Sequence, residues 1–448
     1  MSSSVFTFEV VLGMVLFFVL LSVGMEIFWS FLISGSVTYL LLNIDISEIP
    51  RVVYHGIDQG VLMAVAYFIL AGGLMSEGGL ADALVRWIND IVGWVRGGLA
   101  AVAIVASLFF GALTGSGLTS VAALGPILTT RMEKYGYDKR YSIAVIAASG
   151  FMGHLIPPSI PLMVYGLLTE QSIAALFAST IIPGVLLALF YIAINFVFVN
   201  RWMGERDPSV VDTRSGTWLQ RTASDTRSAI PALLFPIIVV GGIYLGVFTP
   251  TEAAAVACAY ATLIGVFIYK GLRRHNTWKA ILDSAATTAM VVILVGGGMF
   301  FSRMLLRVGV AEAMASFVLH ISSNTVVILL AVNILLLILG MFMDTLVLLI
   351  IVVPLLLPLF DAIGMNLIHA GAMVVLNCGI GMVTPPYAAA LFVGARIADV
   401  PVHQIAKPAL MFVGLGALPV LVLTTYVPQI SLWLPVLICG SKIVGTGG

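Results

Sequence analysis

Long apolar blocks, parted by short polar turns, run through the whole chain. Blocks at about 5–23, 26–43 and 57–75 each have the length of a bilayer crossing. An amphipathic stretch at about 78–95 follows, with Asp82, Arg86, Asp90 and Arg96 set among Leu and Trp. The next window, 97–133, is interrupted by a small and polar run from Gly111 to Ser120. It has room for two half-depth helices but is short for two full crossings, so it predicts a re-entrant hairpin with its tip near Thr114–Ser120. The block 141–168 is long enough to cross, yet its middle reads Gly153, His154, Leu155, Ile156, Pro157, Pro158, Ser159. Two consecutive prolines remove two backbone donors and crowd the preceding turn, so the helix must break there. Freed backbone at membrane depth persists only where protein buries it or a watery cavity receives it. A span at about 179–200 closes this half, and the Arg-rich segment 201–229 reads as a linker carrying Arg201, Arg206, Arg214, Arg221 and Arg227.

The pattern then repeats. Spans at about 230–246, 251–269 and 284–302 precede an amphipathic stretch at about 303–320. A second hairpin is expected at 324–359 with its tip near Gly340–Thr345, a second broken helix at about 368–398, and a last span at about 405–428. Landmarks keep register: Glu26 with Glu252, Asp58 with Asp283, Gly72-Gly73 with Gly297-Gly298, Asp82 with Glu312, Gly111 with Gly340, and Pro157 with Pro385. Six such coincidences predict an internal duplication, with repeats at 1–200 and 230–429 and a C-terminal tail at 430–448.

Composition fixes the class. The chain has 448 residues, 60% of them apolar and only 9% charged, against about 25% charged in soluble domains. The expected fold is therefore an all-α polytopic membrane protein. A net charge of zero argues against nucleic acid as a partner, and the lipid bilayer is the expected surroundings. Cys258, Cys378 and Cys439 lack metal spacing and read as small hydrophobes. The start Met1-Ser2-Ser3-Ser4 has no basic region, and the apolar run after it outlasts a signal peptide, so it reads as a first membrane helix. No Ser-His-Asp, H-E-x-x-H or phosphate loop occurs, so an enzyme is not expected.

Lys and Arg placement gives orientation. The loop 131–140 (Arg131, Lys134, Lys139, Arg140) shares a side with 201–229 and with 270–279 (Lys270, Arg273, Arg274, Lys279), joined by Arg396 and Lys407. Loops 169–178, 247–250 and 360–366 contain no Lys or Arg. If the basic side is cytoplasmic, both termini are external and the hairpins enter from opposite faces, which makes the repeats inverted. Arg303 and Arg307 are the exceptions, expected to snorkel at the outer interface.

Four polar interruptions in apolar segments carry the chemistry. Hydroxyls and loose carbonyls are hard oxygen ligands for an alkali cation, and half-helix N-termini attract an anion. The first tip (Thr114, Ser116, Thr119, Ser120) is expected to meet Gly153–Ser159, and the second tip (Asp344, Thr345) to meet Gly381–Pro385. Sodium is expected at Thr114, Ser116, Gly153 and Pro157 and at Asp344, Thr345, Gly381 and Thr384. Substrate is expected between them, at Ser116, His154, Ser159, Thr345, Asn377 and Thr384. His154 is singled out because an ionisable residue at membrane depth is costly without a task. Glu26, Glu252, Asp58 and Asp283 lie at expected helix starts and read as caps. Hydroxyls bonded back into their own helices and glycines serving close packing are the plainer reading of any single residue.

Phe248-Thr249-Pro250-Thr251-Glu252 with Ala253–Ala255, the Ile156–Ser159 break, Met343-Asp344-Thr345 and Val383-Thr384-Pro385-Pro386 together resemble the large membrane subunit of tripartite ATP-independent periplasmic (TRAP) transporters. The resemblance spans nearly the whole chain. It implies an ion-transporter-like fold with a scaffold and a moving elevator domain, in the cytoplasmic (inner) membrane of a bacterium or archaeon. Sodium-driven import of small organic acids is implied, with no cofactor beyond the coupling ion. The implied partners are a small four-helix membrane subunit, expected as a separate chain, and a periplasmic substrate-binding protein. A self-sufficient sodium/dicarboxylate symporter of similar fold is the alternative, and a channel or assembly subunit is a reading from a different class.

Overall fold

In the computed structural model, which describes residues 8–93, 95–204 and 218–445, the apolar blocks become helices. The first half runs α1 (Phe8–Ser22), α2 (Ile27–Leu41), α3 (Glu48–Ile57), α4 (Gly60–Glu77) and α5 (Leu80–Val92). It continues α6 (Gly98–Thr114), α7 (Gly117–Lys134), α8 (Lys139–Gly150), α9 (Ile160–Thr169) and α10 (Ile173–Phe198). The second half runs α11 (Trp218–Tyr244), α12 (Pro250–Leu263), α13 (Arg274–Arg307), α14 (Val310–Ile321), α15 (Thr325–Gly340) and α16 (Thr345–Ala362). It ends α17 (Leu367–Gly381), α18 (Ala389–Ala398), α19 (Val402–Phe412), α20 (Leu418–Tyr426), α21 (Gln429–Cys439) and α22 (Ser441–Val444). The only extended pairing among the described residues is one bridge between Tyr137 and Met203. Seven of the described helical segments are long and apolar enough to span a membrane.

Order and spacing recur. The starts of α5, α6, α7, α8, α9 and α10 lie 227–230 residues before those of α14, α15, α16, α17, α18 and α19. α6–α7 and α15–α16 are the expected hairpins, and α8–α9 and α17–α18 the expected broken helices. α5 shows why such a stretch is amphipathic: Leu80, Ala81, Leu84, Val85 and Ile88 are buried at helical spacing, while Asp82 and Arg86 face outward. Trp87 Nε1 donates to Thr226 Oγ1 (3.1 Å) and so ties α5 to α11.

The structure corrects several boundaries. The segment 201–229 is not all linker, because α11 already begins at Trp218; Arg206 and Arg214 lie outside the described residues. Up to residue 445 the expected C-terminal tail is packed, since α21 lies on α10 and Asn366 Nδ2 donates to Val444 O (2.6 Å). Residues 1–7 and 446–448 lie outside the description. The second amphipathic helix is α14 alone, because Arg303 and Arg307 belong to the end of α13. Arg303 is exposed, but Arg307 pairs with Glu48 at 2.5 Å rather than only snorkelling. α3 was not anticipated. It and α4 together precede α5 as α13 precedes α14, but the first pair is interrupted at Asp58 and Gln59 where α13 is continuous.

Candidate functional site

Each hairpin is built to turn and then to lie on its own break. At the first tip Gly115 takes φ +63°, a conformation glycine adopts without strain. Ser116 caps α7, its Oγ accepting from Thr119 N–H (3.5 Å). At the second tip Asp344 caps α16, Oδ1 accepting from Leu346 N–H (3.0 Å). Backbone bonds stitch tip to break in both halves: Ile160 N–H donates to Gly115 O (3.4 Å) and Tyr387 N–H to Met341 O (3.2 Å). The Pro157-Pro158 and Pro385-Pro386 bonds are both cis.

Glycines let these parts touch. A methyl group on Gly111 would sit 2.1 Å from Gly153 Cα, and one on Gly381 would sit 2.6 Å from the carbonyl carbon of Gly340. Backbone therefore meets backbone at matching positions of both halves. No other residue fits there.

Both tips open on one cavity of about 270 Å³. The first hairpin and break contribute Thr114, Gly115, Ser116, Thr119 and His154; the second contribute Asp344, Thr345 and Met382. The facing wall comes from α4 and α13, through Gly72, Ser76 and Glu77 and through Asp283, Ser284 and Thr287. Three carboxylates line the space and no Lys or Arg does. Glu77 Oε1 pairs with Lys279 Nζ at 2.8 Å. His154 is 5% exposed and its Nδ1 lacks a hydrogen-bond partner, as does the buried Thr345 hydroxyl. Nothing among the described residues forms a cluster of three His, Cys, Asp or Glu suited to a metal. The oxygen donors here are hydroxyls, carbonyls and isolated carboxylates, a set that suits an alkali cation rather than a transition metal.

Of the sequence candidates, Thr114, Ser116, His154, Asp344 and Thr345 thus reach the cavity. Gly153, Pro157 and Gly381 sit behind them in the breaks. Ser159, Asn377 and Thr384 do not line it. Ser159 Oγ donates to His154 O (2.6 Å), and Thr384 Oγ1 to Ile380 O (2.8 Å). The Asn377 amide donates to Asn333 Oδ1 (2.7 Å) inside a fully buried contact between α15 and α17. Asp283 is no cap: it lies within α13 and faces the cavity. Glu26 makes no side-chain capping bond, and Asp58 ends α3 instead of starting a helix. Glu252 does cap, in a reciprocal box with Thr249 (2.8 and 3.3 Å). Glu77, Ser284 and Thr287 were missed. Their signal was spacing: Asp283 and Thr287 are four residues apart, which puts them on one helix face.

Comparison with known proteins agrees over this length. The family profile described as "Tripartite ATP-independent periplasmic transporter, DctM component" matches residues 14–430. The large permease protein DctM of a C4-dicarboxylate TRAP transporter from Pseudomonas aeruginosa is 34% identical over 404 residues, covering 90% of this chain and 93% of that one. The isethionate TRAP transporter permease protein DctMQ of Oleidesulfovibrio alaskensis is 35% identical over 394 residues; these cover 87% of this chain and 60% of the longer relative. The crystal structure of the YdaH transporter from Alcanivorax borkumensis superposes with a TM-score of 0.59 at 16% identity, covering 87% and 88% of the two chains, a likeness of fold.

Proposed function

The chain belongs to the DctM component family of tripartite ATP-independent periplasmic transporters, and from that premise we propose that it is the large permease subunit of a sodium-driven importer of a small organic anion. It is a transporter component and not an enzyme. The observation that carries the proposal is the shared cavity, which gathers two oxygen-rich hairpin tips and their breaks against α4 and α13. In this reading two sodium ions sit at the tips, one with Thr114, Ser116 and the Gly153–Pro157 backbone. The other sits with Asp344, Thr345 and the Gly381–Thr384 backbone. Substrate lies between them. A small membrane subunit and a periplasmic binding protein complete the machine. Hairpins and broken helices move as one body past α4 and α13, carrying the site across the inner membrane.

The Glu77–Lys279 pair supports the orientation proposed from the Lys and Arg pattern. It sets the end of α4 level with the first turns of α13, which carry most of the basic stretch 270–279. The cavity then faces the cytoplasm and both termini face outward. Uptake of labelled isethionate, succinate and a sugar acid by cells carrying the three components tests the function. Uptake should stop when the sodium gradient is dissipated and when the binding protein is omitted. Uptake that ignores sodium removes the coupling proposal. Uptake without the binding protein favours a self-sufficient symporter.

A further inference from the structure

The two hairpin tips are alike in shape and differ in charge. Ser116 and Asp344 hold the same cap position on α7 and α16, 228 residues apart. At α16 the Asp344 carboxylate, with the sodium proposed beside it, already occupies the positive end of the helix and leaves no free terminus for an anion. At α7 the cap is a neutral hydroxyl, and the N–H groups of Gly117 and Leu118 have no acceptor among the described residues. Such a terminus is a ready anion site. The residue beside it is His154: a methyl on Gly117 would lie 3.3 Å from His154 Nε2, and Nδ1 is buried and unpartnered. A neutral imidazole always has one N–H to donate. The equivalent position in the second half is Met382, which also lines the cavity and offers no donor. The other wall supplies Glu77 and Asp283, and no lining residue is cationic.

Resting on the organic-anion reading above, we infer that the cavity is polarised and takes a monoanion. The single carboxylate or sulfonate of the substrate lies on the N-terminus of α7 and accepts a hydrogen bond from His154, and the uncharged remainder points toward Met382. His154 is a specificity-determining residue in this arrangement. A second fixed negative charge on the ligand would face Asp283, which neither a lining cation nor a proposed sodium offsets.

The test is ligand protection of a single cysteine, Thr119→Cys in a background with Cys258, Cys378 and Cys439 replaced, against maleimide in the purified permease with its small subunit, in sodium, with isethionate (monoanion) and succinate (dianion) as probes. Isethionate should protect at concentrations at least tenfold lower than succinate. His154→Leu should raise the protecting isethionate concentration about tenfold, and His154→Gln, which keeps an N–H donor, should restore it to within about threefold of wild type. Equal protection by the two probes overturns the inference. So does wild-type protection in His154→Leu, or equal loss in the Leu and Gln variants. Absence of protection by either probe, in a complex that also lacks sodium-dependent uptake, overturns the transport reading itself.

Discussion

At the scale of single residues, the contact of Gly111 with Gly153, echoed by Gly340 with Gly381, decides most. A side chain at either place must push a hairpin off its break, and overpacking of this kind costs about 1–3 kcal/mol. Gly111→Ala and Gly381→Ala, whose added methyls would lie 2.1 and 2.6 Å from facing backbone, should therefore lower the thermal midpoint of the purified protein and abolish sodium-dependent uptake. Gly241→Ala, where a methyl meets nothing within 4 Å, should change neither. A wild-type midpoint in Gly111→Ala would remove backbone contact as the basis of the site. The hydroxyls make a gentler case. Losing one ligand worth about 1 kcal/mol in Ser116→Ala or Thr345→Ala should raise half-saturating sodium about fivefold while abundance is unchanged. Sodium curves identical to wild type in both variants would move the ions elsewhere. That Ser116, His154, Asp344 and Thr345 line a cavity was legible because a polar residue inside an apolar break has few bland explanations. Asn377 and Thr384 drew notice for the same reason but stay off the cavity lining: the Asn377 amide nitrogen and the Thr384 hydroxyl bond within the bundle. Asp283 and Glu77 fell where the apolar windows stop, and a window cannot tell a helix end from a helix whose polar face meets a cavity.

At the scale of elements, hairpins and broken helices were legible because length and proline placement are local properties. Helix ends in polar sequence were not. α11 starts inside the supposed linker, and α13 continues through Asp283, because tertiary contacts hold turns that hydrophobicity alone does not mark. The pair between Lys279 and Glu77 joins α13 to α4, and its side chains are 56% and 30% exposed. Exposed pairs contribute about 0–1 kcal/mol, so Lys279→Met should shift the unfolding free energy by less than about 1 kcal/mol. Packing of small residues such as Gly73 against Ser284 carries the contact instead. A loss well above that bound, measured by denaturation in detergent, would show the pair to be a principal clamp between the two helices.

At the scale of the whole molecule, the cavity sits on a seam. One wall is α4 and α13, which pack on each other and on α2, α3 and α12; the other is the two hairpins with their breaks. α5 and α14 connect the two groups along the chain, α5 leading from α4 into the first hairpin and α14 leading from α13 into the second. If the hairpins travel, residues facing each other across this seam must part during each cycle, and a covalent bridge across it must halt transport. Ser76 on α4 and Thr119 on α7 line opposite sides of the cavity. In a background with Cys258, Cys378 and Cys439 replaced, Ser76→Cys with Thr119→Cys joined by a short bis-maleimide should abolish uptake. The small subunit should remain bound, and the same double-cysteine protein before linking should stay active. Full uptake by a species verified as cross-linked would mean that substrate passes through the seam without relative movement of its walls. That result would leave the two tips as a fixed filter, and the channel reading would replace the elevator.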